Sequence, residues 1–412
     1  MTLTDQALQA LPGLVLGFLL AAGVTLLATP FVRRYALRAD VVDRPEARRV
    51  NTQVTARGGG LAIGVGFVSV SLAMLGINAV ARFHFVDEPA LVHGPQVAAL
   101  LGGAALAVAI GFLDDRFQLR ARWQFVGQFA LAGVAVALGV LVTVINVPFS
   151  SKGIPIAGAI AIVATLVWIV GMINSINFID GLDGLSSGIA LIAALTLGVI
   201  SLGVGTDESE PYVALFCFVL AGALAGFLRW NFHPASIFAG TSGIMLVGYC
   251  LAVLSILGAA KVAVALLVMG VPIIDAFWII VRRVAAGRSP FAPDRGHIHH
   301  RLLDLGLSHR ASVLVIYGVC VLLAALSLGL PGTGQIYAFM GLVIVFGLAL
   351  LLIERLGDTG AERGSGSTES VATAAASVDP TAEEMAAREP IQPDPAKPIE
   401  PAPAGVVGAP DR

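Results

Sequence analysis

Three short runs hold most of the polar residues able to do chemistry: Asp114-Asp115-Arg116, the segment NFIDGLDGL from Asn177 to Leu185, and the segment GHIHHRL from Gly296 to Leu302, which Asp304, His309 and Arg310 follow. Adjacent carboxylates at 114 and 115 repel each other unless a cation lies nearby. Arg116 could supply it, and so could Mg2+, which prefers carboxylate oxygen and keeps several waters. Asn177, Asp180 and Asp183 recur every third residue and share one side if the segment is helical. The interleaved glycines break regular helix and let backbone approach a ligand. Carboxylates and an amide gathered in this way suit a divalent cation that bridges phosphates. His297, His299, His300 and Arg301 offer imidazoles and a guanidinium, suited to an anionic phosphate or a sugar hydroxyl. The HxHH spacing also admits zinc, although the flanking arginines would repel a cation. Asp275, in VPIIDAFW, lies inside an apolar run, where a charge is costly and by default functional. Proton relay and helix packing are both open for it, with Arg282 or Arg283 as the expected partner.

The elements that must position these residues are membrane helices. The 412-residue chain is 57% hydrophobic and 13% charged, with a mean hydropathy of +0.87; a soluble domain carries about 25% charged residues. Eleven apolar stretches, at 11–32, 58–81, 95–113, 123–145, 155–174, 186–205, 212–228, 240–258, 262–281, 313–330 and 336–353, are read as spans. Of the 25 Lys and Arg residues, 17 fall in the odd-numbered loops and three in the even-numbered ones. The positive-inside rule then places the odd loops and the C-terminus in the cytoplasm and the N-terminus outside. The three chemical runs follow spans three, five and nine, so they share the cytoplasmic face. The expected fold is an all-α integral membrane protein of about eleven transmembrane helices, residues 1–355. A Pro/Ala/Glu-rich stretch, 356–412, has too little apolar surface to offset its ordering entropy and is expected to be a disordered cytoplasmic tail. Cys217, Cys250 and Cys320 all lie inside spans and offer no loop-borne disulfide framework.

The order of motifs resembles the polyprenyl-phosphate N-acetylhexosamine-1-phosphate transferases, the MraY/WecA/TagO group, over roughly residues 11–330. RGGGLAI near 57–63, GFLDDR at 111–116, NFIDGLDGL, NFHPASIF, PIIDAF and HIHHRLLDLGLSHR occur in that sequence. The last run is similar to the WecA/TagO branch. The resemblance implies a bacterial, multi-pass plasma-membrane enzyme with its active site facing the cytoplasm. It would transfer N-acetylglucosamine 1-phosphate from a UDP-sugar to undecaprenyl or decaprenyl phosphate and release UMP, the first membrane step of a cell-envelope glycan pathway. It implies Mg2+, or Mn2+ in its place. It assigns Asp114 and Asp115 jointly to metal and nucleophile positioning, Asn177 with Asp115 to the metal, and Asp180 and Asp183 to the nucleotide side. His297, His299, His300 and Arg301 correspond to the loop that holds the diphosphate and sugar. Its partners are the UDP-sugar, the lipid phosphate and the membrane, with a homodimer left open and no nucleic acid. Two positions depart from the family. Thr241, in Phe238–Ile244 (FAGTSGI), stands where the family carries a Mg2+-binding Asp, and Asn51 stands where relatives commonly have His. A hydroxyl is a neutral and weaker ligand than a carboxylate. The competing reading is therefore a catalytically impaired relative that binds lipid phosphate or nucleotide as a scaffold.

Overall fold

A computed structural model describes residues 5–44, 54–80, 94–145, 153–204, 210–258, 261–285, 287, 297–330, 334–345 and 347–348. Asn51 and the 356–412 tail lie outside the described residues. The protein is an all-α membrane protein, and each of the eleven apolar stretches contains a helix. In chain order the helices are α1 (Asp5–Arg38), α2 (Gly60–Val80), α3 (Gly94–Phe117), α4 (Ala121–Ala137), α5 (Gly158–Ile179), α6 (Leu185–Ser201), α7 (Pro211–Asn231), α8 (Gly240–Leu257), α9 (Lys261–Val268), α10 (Gly270–Ala285), α11 (Ile298–Asp304), α12 (His309–Gly329) and α13 (Gly334–Val345). Helix is the form the apolar runs must take in lipid, because it satisfies the backbone N–H and C=O groups within the segment. Seven of the described helices are long and apolar enough to cross a membrane, and eight if the bent α9–α10 pair is one span.

That pair departs from the sequence expectation of a continuous ninth span. α9 and α10 meet at 78°. Pro272 explains the break: it has no N–H to give the carbonyl of Val268, and its ring would crowd that carbonyl. The backbone resumes with Ile273 N–H donating to the Met269 carbonyl at 3.0 Å. α10 therefore leaves α9 at an angle, with Asp275 on its second turn.

Small residues set the helix spacing, as expected where lipid supplies no hydrophobic drive between helices. α1 lies along α7 at glycine contacts. A Cβ on Gly222 would come within 2.1 Å of the Phe18 carbonyl oxygen, and one on Gly226 within 2.2 Å of that of Ala22. α8 is the central helix: 89% of its apolar window is buried inside the protein, against 33% for α1. It packs on α3, α5 and α2, and its Tyr249 hydroxyl donates to the Ala99 carbonyl of α3 at 2.7 Å.

Two short hairpins interrupt the helices, and one of them bears on the site. β1 (Val42–Asp43) pairs antiparallel with β2 (Thr55–Ala56). Ala56 also bridges to Ile237 in parallel. Phe238 N–H donates to the Ala56 carbonyl at 2.9 Å, Gly59 N–H to that of Phe238 at 3.0 Å, and Gly60 N–H to that of Ala239 at 2.9 Å. These bonds stitch the loop before α2 to the segment that enters α8. The second hairpin pairs β3 (Val144–Ile145) with β4 (Ile154–Pro155) before α5.

The α1–α7 contact yields a direct expectation. Gly222→Ala and Gly226→Ala each place a methyl against a backbone carbonyl that cannot rotate away, and overpacking of this kind costs about 1–3 kcal/mol. Gly133→Ala, on α4 with nothing within 4 Å of the added Cβ, should leave stability unchanged or slightly raised. Thermal unfolding of the detergent-solubilised variants checks both; equal melting temperatures in all three would refute the close packing.

Candidate functional site

The site is built around the start of α8. A helix begins with backbone N–H groups that have no partner inside it, and no side chain of its own caps α8. Asp115, in the last turn of α3, fills that role from another helix. Its Oδ1 accepts from Thr241 N–H at 2.8 Å, and its Oδ2 from Ser242 N–H at 3.1 Å and from the Ser242 hydroxyl at 2.7 Å. A carboxylate here is favoured by the positive end of the helix dipole. Arg57 Nε lies 3.7 Å from Asp115 Oδ1, and the same guanidinium lies 3.7 Å from Asp43. The approach needs glycine. Gly240 has φ of +69°, and a Cβ on it would lie 2.6 Å from the Asp115 carboxylate. A Cβ on Gly111 of α3 would meet Ser242 Cα at 2.4 Å.

Asp114 is equally engaged. Its Oδ1 accepts from Leu119 N–H and the Gln124 amide, both at 3.0 Å, and its Oδ2 accepts from the Thr241 hydroxyl at 2.6 Å. The pair is therefore buried, 5% and 4% exposed, and joins α3, α4 and α8, with neither carboxylate paired to the neighbouring Arg116 among the described contacts. Gln124, Ser242 and Arg57 are the site residues that sequence reasoning missed. The signal available for Ser242 was a helix starting Gly-Thr-Ser without an acidic residue in its first turn.

The NFIDGLDGL run does not continue as a helix. α5 stops at Ile179, Asp180 caps its C-terminus, and Gly184 takes φ of +79° ahead of α6. The expected shared helical face therefore ends with Asn177, which is exposed on the last turn of α5. Asp180 is half-buried and takes a short hydrogen bond from the Ser186 hydroxyl. Burial, reinforced by the negative charges of Asp115 and Asp183, pushes it up to about 6 against the restraint of Ser186 and Arg57. Asp183 Oδ2 contacts His233 Nδ1 at 2.8 Å and accepts from Ala235 N–H at 3.0 Å, while Asp183 N–H donates to His309 Nε2 at 2.9 Å. The His233 and His309 rings stack with centroids 4.1 Å apart. Ligand atoms of Asp183, His233 and His309 lie within 4.8 Å of one another. Two imidazoles and one carboxylate suit zinc better than Mg2+, but these atoms are tied to one another and to backbone by hydrogen bonds that already account for the arrangement.

Asp275 and the histidine run meet on α10 and α11. Asp275, 1% exposed, holds His297 Nδ1 at 2.7 Å with Oδ2 and accepts from Ile298 N–H at 2.9 Å with Oδ1. The partner expected from the sequence, Arg282 or Arg283, is not the one that takes these oxygens; the break before α10 turns Asp275 toward the His run instead. His299 is buried against the GLDG turn, where a Cβ on Gly181 would lie 2.1 Å from its Nε2. Burial, then the neighbouring His300, His297 and His309, holds its pKa far below the ordinary histidine value, so it is neutral. His299 stacks on His297 with centroids 5.4 Å apart and contacts His300 at 4.4 Å. Arg301 lies one residue further along α11. The His297–His299–His300 trio is not among the described groups close enough to share an ion. The GLDG turn thus lies between two clusters: Asp180 feels the charges of Asp115 and Arg57, and Gly181 packs on His299.

The sequence profile of glycosyl transferase family 4 matches residues 97–259. The chain is 35% identical over 310 residues to a probable undecaprenyl-phosphate N-acetylglucosaminyl 1-phosphate transferase of Bacillus subtilis, covering 74% of this chain and 81% of that protein. It is 38% identical over 371 residues to a decaprenyl-phosphate N-acetylglucosaminephosphotransferase of Mycolicibacterium smegmatis, covering 84% of this chain and 89% of that protein. An undecaprenyl-phosphate alpha-N-acetylglucosaminyl 1-phosphate transferase of Escherichia coli O157:H7 is 26% identical over 338 residues, 78% of this chain and 85% of that protein.

Two measurements follow from this geometry. Asn at 115 has one acceptor oxygen and an NH2 group, yet Thr241 and Ser242 N–H arrive on different oxygens, so either flip sets an N–H against an NH2. Asp115→Asn should therefore lose about 1–3 kcal/mol of stability as well as turnover; an unchanged melting temperature would return Asp115 to a purely chemical role. For Asp180, the folded carboxyl titrates near 6 against an ordinary 3.8. Between those values the folded protein holds a proton that the unfolded chain has released. This contribution to stability is complete below 3.8 and is lost as pH rises through 6. In metal-free protein, the melting temperature of wild type relative to Asp180→Asn should fall from about pH 4 to about pH 6.5 and then level, and a difference independent of pH would contradict the raised carboxyl pKa.

Proposed function

The chain belongs to glycosyl transferase family 4, and from that premise we propose that it transfers N-acetylglucosamine 1-phosphate from UDP-N-acetylglucosamine to a polyprenyl phosphate and releases UMP. An oxygen of the lipid phosphate forms a bond to the β-phosphorus as the bond from that phosphorus to the bridging oxygen breaks. UMP leaves with the bridging oxygen and the bonding electron pair. A phosphate monoester has its second pKa near 6, so the attacking phosphate is largely dianionic at neutral pH and needs no strong base. Asp114 and Asp115 accordingly serve by position: they lock the end of α3 onto the start of α8 and hold Thr241 beside them.

The observation that carries the geometric side of this reading is Asp180. The residue is half-buried, and desolvation with the charges of Asp115 and Asp183 disfavours its charged form, against the restraint of the Ser186 hydroxyl and Arg57. Such a carboxylate gains from a bound cation. Asn177 and Asp180, at the C-terminal end of α5, supply amide and carboxylate oxygens of the kind Mg2+ takes, with one or two carboxylates and substrate phosphates completing the set. Asp115 has both oxygens already accepting from the start of α8, and its charge acts on Asp180. Mg2+ when bound would neutralise charge on the diphosphate. Asp183 with His233, and His297, His299, His300 and Arg301 on the other side of the GLDG turn, face the nucleotide-sugar. The arginine distribution supports a plasma-membrane enzyme of eleven crossings, N-terminus outside and C-terminus inside, with these loops in the cytoplasm beside the UDP-sugar.

A second reading, an impaired relative that binds without turnover, rests on Thr241. Its hydroxyl donates to Asp114 and its N–H to Asp115, so it satisfies both carboxylates without adding charge. Membranes containing the protein, given UDP-N-acetylglucosamine with undecaprenyl or decaprenyl phosphate, should release UMP and form the lipid diphosphate-sugar. No turnover at any Mg2+ or Mn2+ concentration, with turnover gained in Thr241→Asp, would favour the second reading. The same variant makes a physical test of the cation. A carboxylate at 241 falls against Asp114, and like charges at that range disfavour the folded state. Thr241→Asp should melt lower than wild type in chelator and recover in Mg2+; a deficit that Mg2+ leaves untouched would count against a cation at this junction.

Reporter fusions test the topology. Fusions after residues 118 and 290 should report cytoplasm, and those near 88 and 150 the outside. Opposite answers at 118 and 290 would separate the acidic and histidine clusters across the membrane and end the single-site reading.

A further inference from the structure

Asp275 and His297 stand together in a way that neither the family match nor the charge pattern accounts for. Asp275 is on α10 and His297 immediately precedes α11, and the two side chains are 1% and 10% exposed. The carboxylate divides its oxygens. Oδ1 accepts from Ile298 N–H at 2.9 Å, and Oδ2 faces His297 Nδ1 at 2.7 Å. A buried carboxylate accepts and cannot donate, so His297 Nδ1 carries the proton. Nε2 is then the nitrogen left to accept a hydrogen bond or to take a second proton. Phe178, on the last turn of α5 beside Asn177, stacks on the imidazole at 5.9 Å, and His299 stacks at 5.4 Å with ring planes 11° apart. The ring is thereby held in plane by stacking and in rotation by the carboxylate. His299 is neutral, so it adds no charge that would compete with Asp275 for this role.

We propose that Asp275 is a positioning residue for the transfer reaction: it fixes the tautomer and orientation of His297, whose Nε2 meets the diphosphate-sugar. The logic is that of a carboxylate that orients an imidazole in a nucleophilic triad, where it holds the ring and its tautomer without itself exchanging the proton. A diphosphate-sugar offers hydroxyls that can donate to a neutral Nε2 and phosphate oxygens that can accept from a protonated one. The Nδ1–H form permits both. The kinetic part of this inference rests on the transferase reading; the tautomer does not.

The substitution that tests it is Asp275→Asn, and the backbone makes its outcome unambiguous. Ile298 N–H is a donor in every state, so the Asn oxygen must stay on the Oδ1 side. The NH2 group then occupies the Oδ2 side and donates to His297 Nδ1. That strips Nδ1 of its proton, moves it to Nε2 and disfavours the imidazolium. The chain has seven histidines, few enough to resolve by 15N-histidine NMR of the solubilised full-length protein, with His297→Gln identifying the signal by its loss. Wild type should show His297 protonated at Nδ1, and Asp275→Asn should show the proton at Nε2. The same tautomer in both, or an Nε2 proton in wild type, would overturn the proposal whatever the enzyme does.

In the UMP-release assay, Asp275→Asn should lower kcat by at least about a hundredfold with KM for the UDP-sugar changed by less than about threefold, as for an interaction made mainly in the transition state. Asp275→Asn combined with His297→Gln should be no slower than His297→Gln alone, because both changes remove the same Nε2 function. Additive losses, or a fall in melting temperature that tracks the loss of rate, would reduce Asp275 to an anchor for α11 and overturn the positioning role. If wild type itself releases no UMP, the transferase reading fails, and the NMR comparison still decides the tautomer.

Discussion

A helix that starts in the interior of a membrane protein must find acceptors for its first N–H groups, and α8 starts there without a cap of its own. The Asp115 carboxylate supplies them from α3, 127 residues away in sequence for Ser242. The other features of the site follow from this one contact. It requires α3 to approach α8 closely, which Gly111 and Gly240 permit. It aligns Thr241 so that its hydroxyl reaches Asp114. It also draws in the loop before α2, whose backbone bonds to Phe238 and Ala239 deliver Arg57 to the same carboxylate. A neutral residue at 115 would leave the N-terminus of the most buried span without compensation.

With two carboxylates spent on this junction, the negative charge nearby is compensated by the α8 N-terminus and Arg57 more fully than at Asp180. The sharp GLDG turn carries that uneven distribution. It ends α5, presents Asp180 toward Asp115, gives Asp183 to His233, and leaves Gly181 bare for His299 to pack on. A turn of this kind can hold several functional groups in a small volume because its glycines take up the backbone conformations and close contacts that side chains would forbid. Arg57 sets its positive charge against Asp43 and Asp115 and favours the charged form of Asp180.

The histidine side depends on a different constraint, the break at Pro272. A straight ninth span would carry Asp275 through the membrane with its helix neighbours. The 78° bend instead turns the second turn of α10 toward the residue before α11. The short helix α11 packs Ile298, Leu302 and Leu303 against the core, and Asp275 ties its first N–H and the histidine before it to α10. Both anchors, Asp115 and Asp275, therefore use the same device: a buried carboxylate from one helix satisfying the exposed backbone at the start of another.

Much of this protein was legible without coordinates. Long apolar runs must become helices in lipid, whatever their neighbours, so the helices over 58–81, 95–113, 155–174 and 212–228 could be read directly from hydropathy. The polar residues able to do chemistry could be named as well, since so few interrupt the apolar background, and the family could be recognised from the order of its motifs. Residue partners could not be read in this way. Nothing local to Asp114-Asp115-Arg116 says that the carboxylates turn inward to α8 and away from Arg116, because that depends on which helix start lies opposite. The same holds for Asp275, whose nearest arginines in sequence, 282 and 283, gave way to a histidine 22 residues on. It holds for His233 and His309, brought together by the return of α12 to the loop after α7. Hydropathy is a property each segment carries by itself, whereas hydrogen-bond and charge partners are properties of pairs, and only the packed helices decide which pairs exist.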